Sequence, residues 1–123
     1  MKNNKILIVE DDYIVSFALK KYFEAKHYEV DCASDGLKAL EKFGLGADLV
    51  ILDINLPNIS GFDVAKKIRS SKSSSNVPII FFSALSQDSN IKYGFDIGAT
   101  EYITKPSSME YLFSRVEKYI QAS

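Results

Sequence analysis

The sequence predicts an α/β fold, a doubly wound parallel sheet of five strands flanked by five helices. Three observations carry this reading. Short, almost wholly apolar runs recur along the chain, a segment of helical periodicity follows each, and charged or hydroxyl side chains cluster where the runs end. A continuous apolar run suits a strand covered on both faces, and right-handed crossovers between parallel strands place the helices on both sides.

The elements follow in order. Lys5 to Val9 is the first strand, with Ile6-Leu7-Ile8-Val9 as its buried run. Ile14, Val15, Ala18, Leu19, Tyr22 and Phe23 then recur at helical spacing and predict one apolar helix face. Tyr28 to Ala33 is a second strand, polar enough for a sheet edge. Ser34-Asp35-Gly36 opens a helix carrying Leu37, Leu40 and Phe43, which stops near Gly44 and Gly46. Leu49 to Leu52 is the third strand and ends in Asp53, and after the loop Asn55-Leu56-Pro57-Asn58 a helix turns Phe62, Ala65 and Ile68 inward. The Ser-rich stretch from Ser70 to Asn76 reads as a surface connection within the domain. Pro78 to Phe82 forms the fourth strand, ending at Ser83, and Asp88 to Ile97 the fourth helix, which Gly94 weakens. Glu101 to Thr104 is the fifth strand, closed by Lys105-Pro106. Ser107 and Glu110 have the spacing of a capping box at the start of the last helix, whose face is Leu112, Phe113, Val116, Tyr119 and Ile120.

Composition narrows the function. A chain of 123 residues has the size of one domain, so residues 1–123 are expected to form a single unit. Lys plus Arg number 15 against 16 Asp plus Glu, and this balance argues against a broad basic surface for nucleic acid. No apolar stretch approaches the roughly 18 residues of a membrane span, and the apolar run after Met1-Lys2-Asn3-Asn4-Lys5 is too short for a signal-peptide core. Cys32 is the only cysteine, which excludes an intrachain disulfide and a four-cysteine zinc site. It is expected as a small buried apolar residue. The chain is expected to be cytoplasmic.

The strand ends carry the chemistry. In an open α/β sheet, ligands bind outside the carboxyl ends of the strands. Those ends bear Glu10, Asp11 and Asp12, then Asp53, Ser83 and Lys105. A helix cap explains one Asp, as at Asp12, but not an acidic triplet beside a further carboxylate. Two carboxylates about 4 Å apart repel by roughly 4 kcal/mol at an effective dielectric near 20. Either one is protonated or a cation lies between them. Oxygen donors with no His or Cys among them favour a hard cation, and an open, half-hydrated site suits Mg²⁺ better than Ca²⁺.

The set resembles the receiver domain of two-component response regulators over nearly the whole chain. The matching residues are Ile6 to Asp12, Leu52-Asp53-Ile54-Asn55-Leu56-Pro57 with Gly61, Pro78-Ile79-Ile80 leading to Ser83-Ala84, Gly98-Ala99 before Tyr102, and Thr104-Lys105-Pro106. The resemblance implies a flavodoxin-like (βα)5 fold with strand order 2-1-3-4-5. It implies that Asp53 accepts a phosphoryl group from the phosphohistidine of a histidine kinase or phosphotransfer protein. It further assigns Mg²⁺ or Mn²⁺ to Glu10, Asp11, Asp53 and the backbone carbonyl of Asn55. Ser83 and Tyr102 take the switch positions, and Lys105 that of the family's lysine. The fourth helix, fifth strand and last helix are the implied surface for a downstream effector, in a monomer or a phosphorylation-dependent dimer.

Elementary chemistry agrees with those roles. A carboxylate is a competent nucleophile in phosphoryl transfer, which depends on positioning and on neutralising the phosphoryl oxygens. Departures from the family pattern are Ser83 for the commoner Thr, Glu101 for Asp, the apolar Leu85 and the sequence of the fourth helix. Three further readings compete with a signalling module that catalyses only its own phosphorylation and dephosphorylation. A haloacid-dehalogenase-like phosphatase uses an Asp nucleophile, but wants a second Asp where Asn55 stands. A receiver-like module working without phosphorylation would not need Glu10, Asp11, Asp53, Ser83 and Lys105 together. A flavin or nucleotide binder of the same fold would need an anion loop where three acids follow the first strand. The Lys105-Pro106 bond is expected to be cis, which would turn the chain sharply and hold the amine over Asp53.

Overall fold

A computed structural model describes residues 4–71 and 76–120. The elements alternate as β1 (Lys5–Val9), α1 (Tyr13–Ala25), β2 (Glu29–Ala33), α2 (Gly36–Phe43), β3 (Leu49–Leu52), α3 (Gly61–Arg69), β4 (Ile79–Ser83), α4 (Asp88–Asp96), β5 (Glu101–Thr104) and α5 (Met109–Tyr119). All neighbouring strands are parallel, in the order β2-β1-β3-β4-β5. This is the expected doubly wound five-stranded sheet.

Alternation along each strand divides the core in two. Ile6, Ile8, Ile51, Ile80 and Phe82 face Leu19 and Phe23 of α1 and Leu112 and Val116 of α5. Leu7, Val9, Val50, Leu52 and Phe81 face Ala39 of α2 and Val64, Ala65 and Ile68 of α3. Each fully buried Ile, Leu or Val contributes roughly 1.5 to 3 kcal/mol of transfer free energy, so β1 and β3 anchor both layers. They are also the two strands between which the order of winding reverses, and the acids stand at their ends.

Short polar side chains start four of the helices. Asp12, Asp35, Ser60 and Ser108 each accept hydrogen bonds from backbone N–H groups of the first turn. The helix α4 has no such cap, since Gln87 stands at its start. Its single buried residue is Gly94.

Four expectations need correction. In α1 the apolar arc of Ile14, Val15, Ala18, Leu19, Tyr22 and Phe23 is wider than the strip a sheet can cover. The core takes Ser16, Leu19 and Phe23 instead, and leaves Ile14 79% exposed and Ala18 outside. Tyr28 precedes β2, because its backbone N–H donates to Phe23 O of α1 at 3.1 Å and not across the sheet; it is buried, with its hydroxyl donating to Glu117 and to the Ile120 carbonyl. The capping box shifts by one residue, because Ser108 rather than Ser107 accepts from Tyr111 N at 3.0 Å. Cys32 is half-buried, since one face of the edge strand β2 is only partly covered. Within the Ser-rich connection, residues 72–75 lie outside the described residues.

Candidate functional site

Backbone hydrogen bonds place the acids. Glu10 N donates to Ala33 O and Asp53 N to Val9 O, each at 3.0 Å, so both residues extend the ladder by one rung past the strand ends. Glu10 is 4% and Asp53 8% exposed, whereas Asp11 is open to solvent. One carboxylate oxygen from each of Glu10, Asp11 and Asp53 lies within 4.8 Å of the others. Asp12 stands apart from this cluster as the α1 cap, accepting from Ile14 N at 2.9 Å and Val15 N at 3.3 Å.

Lys105 enters from the far side of the sheet. Its Nζ lies 5.3 Å above the Phe82 ring centroid and donates to Glu10 Oε1 and, at 3.2 Å, to Asp53 Oδ2. The Lys105–Pro106 bond is cis, as expected. The Asp53 carboxylate is thereby divided: Oδ1 accepts from Ile54 N at 2.7 Å and Asn55 N at 3.4 Å, while Oδ2 faces the ammonium. Asn55 itself is exposed beside the acid cluster.

The electrostatics follow from this packing. Burial pushes the Glu10 carboxyl above its usual value, against the opposing hydrogen bonds from Lys105 and Asp12 N. Burial pulls the Lys105 ammonium down, but the Glu10 hydrogen bond and the Asp53 charge outweigh it and hold the amine above its usual value. Lys105 is therefore charged across the neutral range. Three carboxylates against one ammonium leave two negative charges uncompensated. The donor set is all oxygen, with an exposed member at its rim, and it fits a divalent hard cation.

Ser83 is fully buried at the end of β4 and paired across to Thr104. Its Oγ accepts from Leu85 N at 3.3 Å, and the Tyr102 hydroxyl donates to Leu85 O at 2.6 Å. The two switch candidates thus meet through the backbone of Leu85. Burial, with the Asp53 charge adding, holds the Tyr102 phenol above its usual value.

Sequence reasoning missed the task of Gly61. A Cβ on it would stand 2.1 Å from the Asp53 carbonyl oxygen, so only glycine lets α3 start against the loop that follows β3. Its N donates to Ile54 O at 2.8 Å and ties that loop down. The available signal was a glycine opening a helix after a capping serine, where propensity alone disfavours it. Also unforeseen is a groove of about 430 Å³ running from Glu10 and Asp11 between α1 and α2, with Tyr13, Phe17, Lys38 and Lys42 in its walls.

The comparisons with known proteins agree with one another. The response regulator receiver domain model matches residues 6–117. The regulatory protein VanRB of Enterococcus faecalis is 38% identical over 97% of this chain and 53% of its own length. The transcriptional regulatory protein DltR of Streptococcus agalactiae is 41% identical over 91% of this chain and 50% of its own. The chain spans about half the length of the curated relatives it matches. Among solved structures, chemotaxis protein CheY4 of Vibrio cholerae superposes with a TM-score of 0.91 at 27% identity, covering 97% of this chain and all of the other. A response regulator from Chloroflexus aurantiacus gives 0.90 at 32% identity, covering 96% and 98%.

Proposed function

The chain belongs to the response regulator receiver domain family of two-component phosphorelay signalling, and we propose that Asp53 is its phosphoacceptor, with residues 1–123 acting as one receiver domain. The observation that carries this reading is the divided carboxylate of Asp53. Backbone N–H groups hold Oδ1, and Oδ2 is held by the Lys105 ammonium alone at 3.2 Å, a partner that a side-chain rotation can take away.

In the proposed step an Asp53 oxygen attacks the phosphorus of a kinase or phosphotransfer-protein phosphohistidine. An O–P bond forms, the P–N bond breaks, and the electron pair leaves on the imidazole, which takes up a proton. Lys105 exchanges a carboxylate for a phosphoryl oxygen, moving by a side-chain rotation. Mg²⁺ or Mn²⁺, held by Glu10, Asp11, Asp53 and the Asn55 carbonyl, would supply charge neutralisation to the phosphoryl oxygens. Ser83 then turns its hydroxyl to the phosphoryl group and releases Leu85 N, and Tyr102 follows through Leu85 O. Each hydrogen bond to a charged group contributes roughly 1.5 to 3 kcal/mol. Lys105 only exchanges one charged partner for another, so the new Ser83 bond alone biases the equilibrium by roughly 1.5 to 3 kcal/mol, a part of the roughly 5.5 kcal/mol that inverts a 1:99 equilibrium.

Partner surfaces follow from exposure. Tyr13, Ile14 and Phe17 stand exposed beside the acids and suit the phosphodonor protein. The α4–β5–α5 face, with Phe95 and Tyr111 exposed, suits an effector or a second copy of the chain in a phosphorylation-dependent dimer. No described helix is long and apolar enough to cross a membrane. A cytoplasmic module without a nucleic-acid surface of its own remains our reading. A haloacid-dehalogenase-like hydrolase would need a general acid–base where Asn55 stands, and an amide cannot titrate.

The test is mass spectrometry of the intact protein after incubation with a small phosphoryl donor and Mg²⁺. Wild type should gain one phosphoryl group, and Asp53→Asn none while keeping its fold. Equal gain in both proteins would remove Asp53 from the acceptor role.

A further inference from the structure

Gly94 lies in the last turn of α4, two residues before its end, where glycine still costs up to about 1 kcal/mol relative to alanine. Backbone conformation does not explain it. The glycines that adopt left-handed angles are Gly46 and Gly98, and Gly94 is not among them. Packing does explain it. A Cβ on Gly94 would stand 3.0 Å from Tyr102 Cδ2, 3.3 Å from Cε2 and 3.4 Å from Phe81 Cδ2. The first distance is tighter than ordinary packing allows, and the ring it meets is a rigid body. Phe81 lies beside that ring, with centroids 5.8 Å apart, and touches the same empty position; Phe62 in turn packs on Phe81 at 5.5 Å. The ring therefore cannot make room by moving toward Phe81.

We propose that Gly94 is the positioning residue for Tyr102: the missing side chain is the seat that keeps the ring under α4, with its hydroxyl on the Leu85 carbonyl. The β4–α4 loop is then held from both ends, by Ser83 Oγ on Leu85 N and by Tyr102 on Leu85 O. Adding a methyl group at residue 94 tips the ring outward, breaks the hydrogen bond to Leu85 O and frees the loop from the β5 side. The coupling of that loop to α4 rests on the phosphoacceptor reading above, whereas the seat itself does not.

A double-mutant cycle on the unphosphorylated protein tests the seat. In a Tyr102→Ala background, Gly94→Ala should raise the melting temperature by about 3 to 5 °C, the helix-propensity gain with nothing to clash. With Tyr102 present the same change should leave the melting temperature unchanged or lower it, and should shift the Tyr102 ring and Leu85 amide NMR signals. Equal shifts in melting temperature in the two backgrounds would overturn the seat. For the switch, Gly94→Ala should gain the phosphoryl mass as wild type does, yet lose most of the phosphorylation-dependent amide shifts in α4. Full α4 shifts in that variant would overturn the positioning role. Wild type failing to gain the mass would sink the phosphoacceptor reading instead, and the cycle would still decide the seat.

Discussion

At Asp53 the orientation of the carboxylate is a product of backbone, not of neighbouring side chains alone. Ile54 N and Asn55 N hold one oxygen, so the loop after β3 must keep its shape for the other oxygen to point at Lys105. Gly61 fixes that shape from below, because any side chain there would strike the Asp53 carbonyl. The clash in Gly61→Ala should cost about 1 to 3 kcal/mol against a propensity gain of about 1 kcal/mol, for a net loss of stability of up to about 2 kcal/mol. The same variant should slow the mass gain at Asp53, since the carboxylate shifts with its carbonyl. Chemical denaturation and a time course of phosphorylation check the two effects, and an unchanged midpoint would mean that α3 can retreat from the loop without loss.

The pairing of β5 with α5 illustrates how one element carries a pH response. Arg115 Nη2 donates to Glu101 Oε2 at 2.6 Å, and the Tyr119 hydroxyl donates to the same oxygen. Burial pushes the Glu101 carboxyl up, but these two hydrogen bonds outweigh it and hold it below its usual value of 4.5. A depressed carboxyl contributes stability above its unfolded value and loses it as pH falls through the folded one. The contribution is therefore full at neutral pH and fades below about pH 4.5. Glu101→Gln should lower stability at pH 7 by about 1.5 kcal/mol, since the charge-assisted bonds become neutral ones. It should also flatten the acid limb, which melting curves between pH 3 and 7 would reveal as converging midpoints. The wild-type and variant curves staying parallel across that range would rule out Glu101 as the source.

For the whole molecule, folding itself concentrates the acids. β1 and β3 must be neighbours to build both core layers, and their pairing brings Glu10, Asp11 and Asp53 within 4.8 Å. The repulsion exists only in the folded state, so a divalent cation that relieves it binds the folded chain in preference to the unfolded one. Mg²⁺ at a hundred times its dissociation constant should add about 2.7 kcal/mol and raise the melting temperature accordingly. Asp11→Ala should remove most of that metal-dependent rise while leaving the metal-free fold at least as stable, because Asp11 is exposed and adds only to the repulsion. A calorimetric titration of both proteins with Mg²⁺ checks this, and a flat response in wild type would make the carboxylates purely structural.

Apolar runs of four or five residues, helical periodicity between them and polar strand ends were enough to set the number, type and order of the elements. They were also enough to nominate Glu10, Asp11, Asp12, Asp53, Ser83 and Lys105, since a parallel sheet sends every strand end to one rim, whereas Tyr102 and Asn55 came only from the family resemblance. The structure brought Glu10, Asp11 and Asp53 within 4.8 Å of one another there, set Lys105 on Glu10 and Asp53, and joined Ser83 to Tyr102 through Leu85. What it alone decided depends on distances between elements. The periodicity of α1 gave an apolar arc but not which half the sheet would cover, so Ile14 was misplaced and the buried Ser16 unforeseen. Neither Gly61 nor Gly94 declares its purpose in the one-dimensional pattern, because the atoms that forbid a side chain there belong to Asp53 and Tyr102, each eight residues along the chain. Local propensity reads the backbone of one segment at a time, and a close approach is a property of two segments packed by the rest of the core.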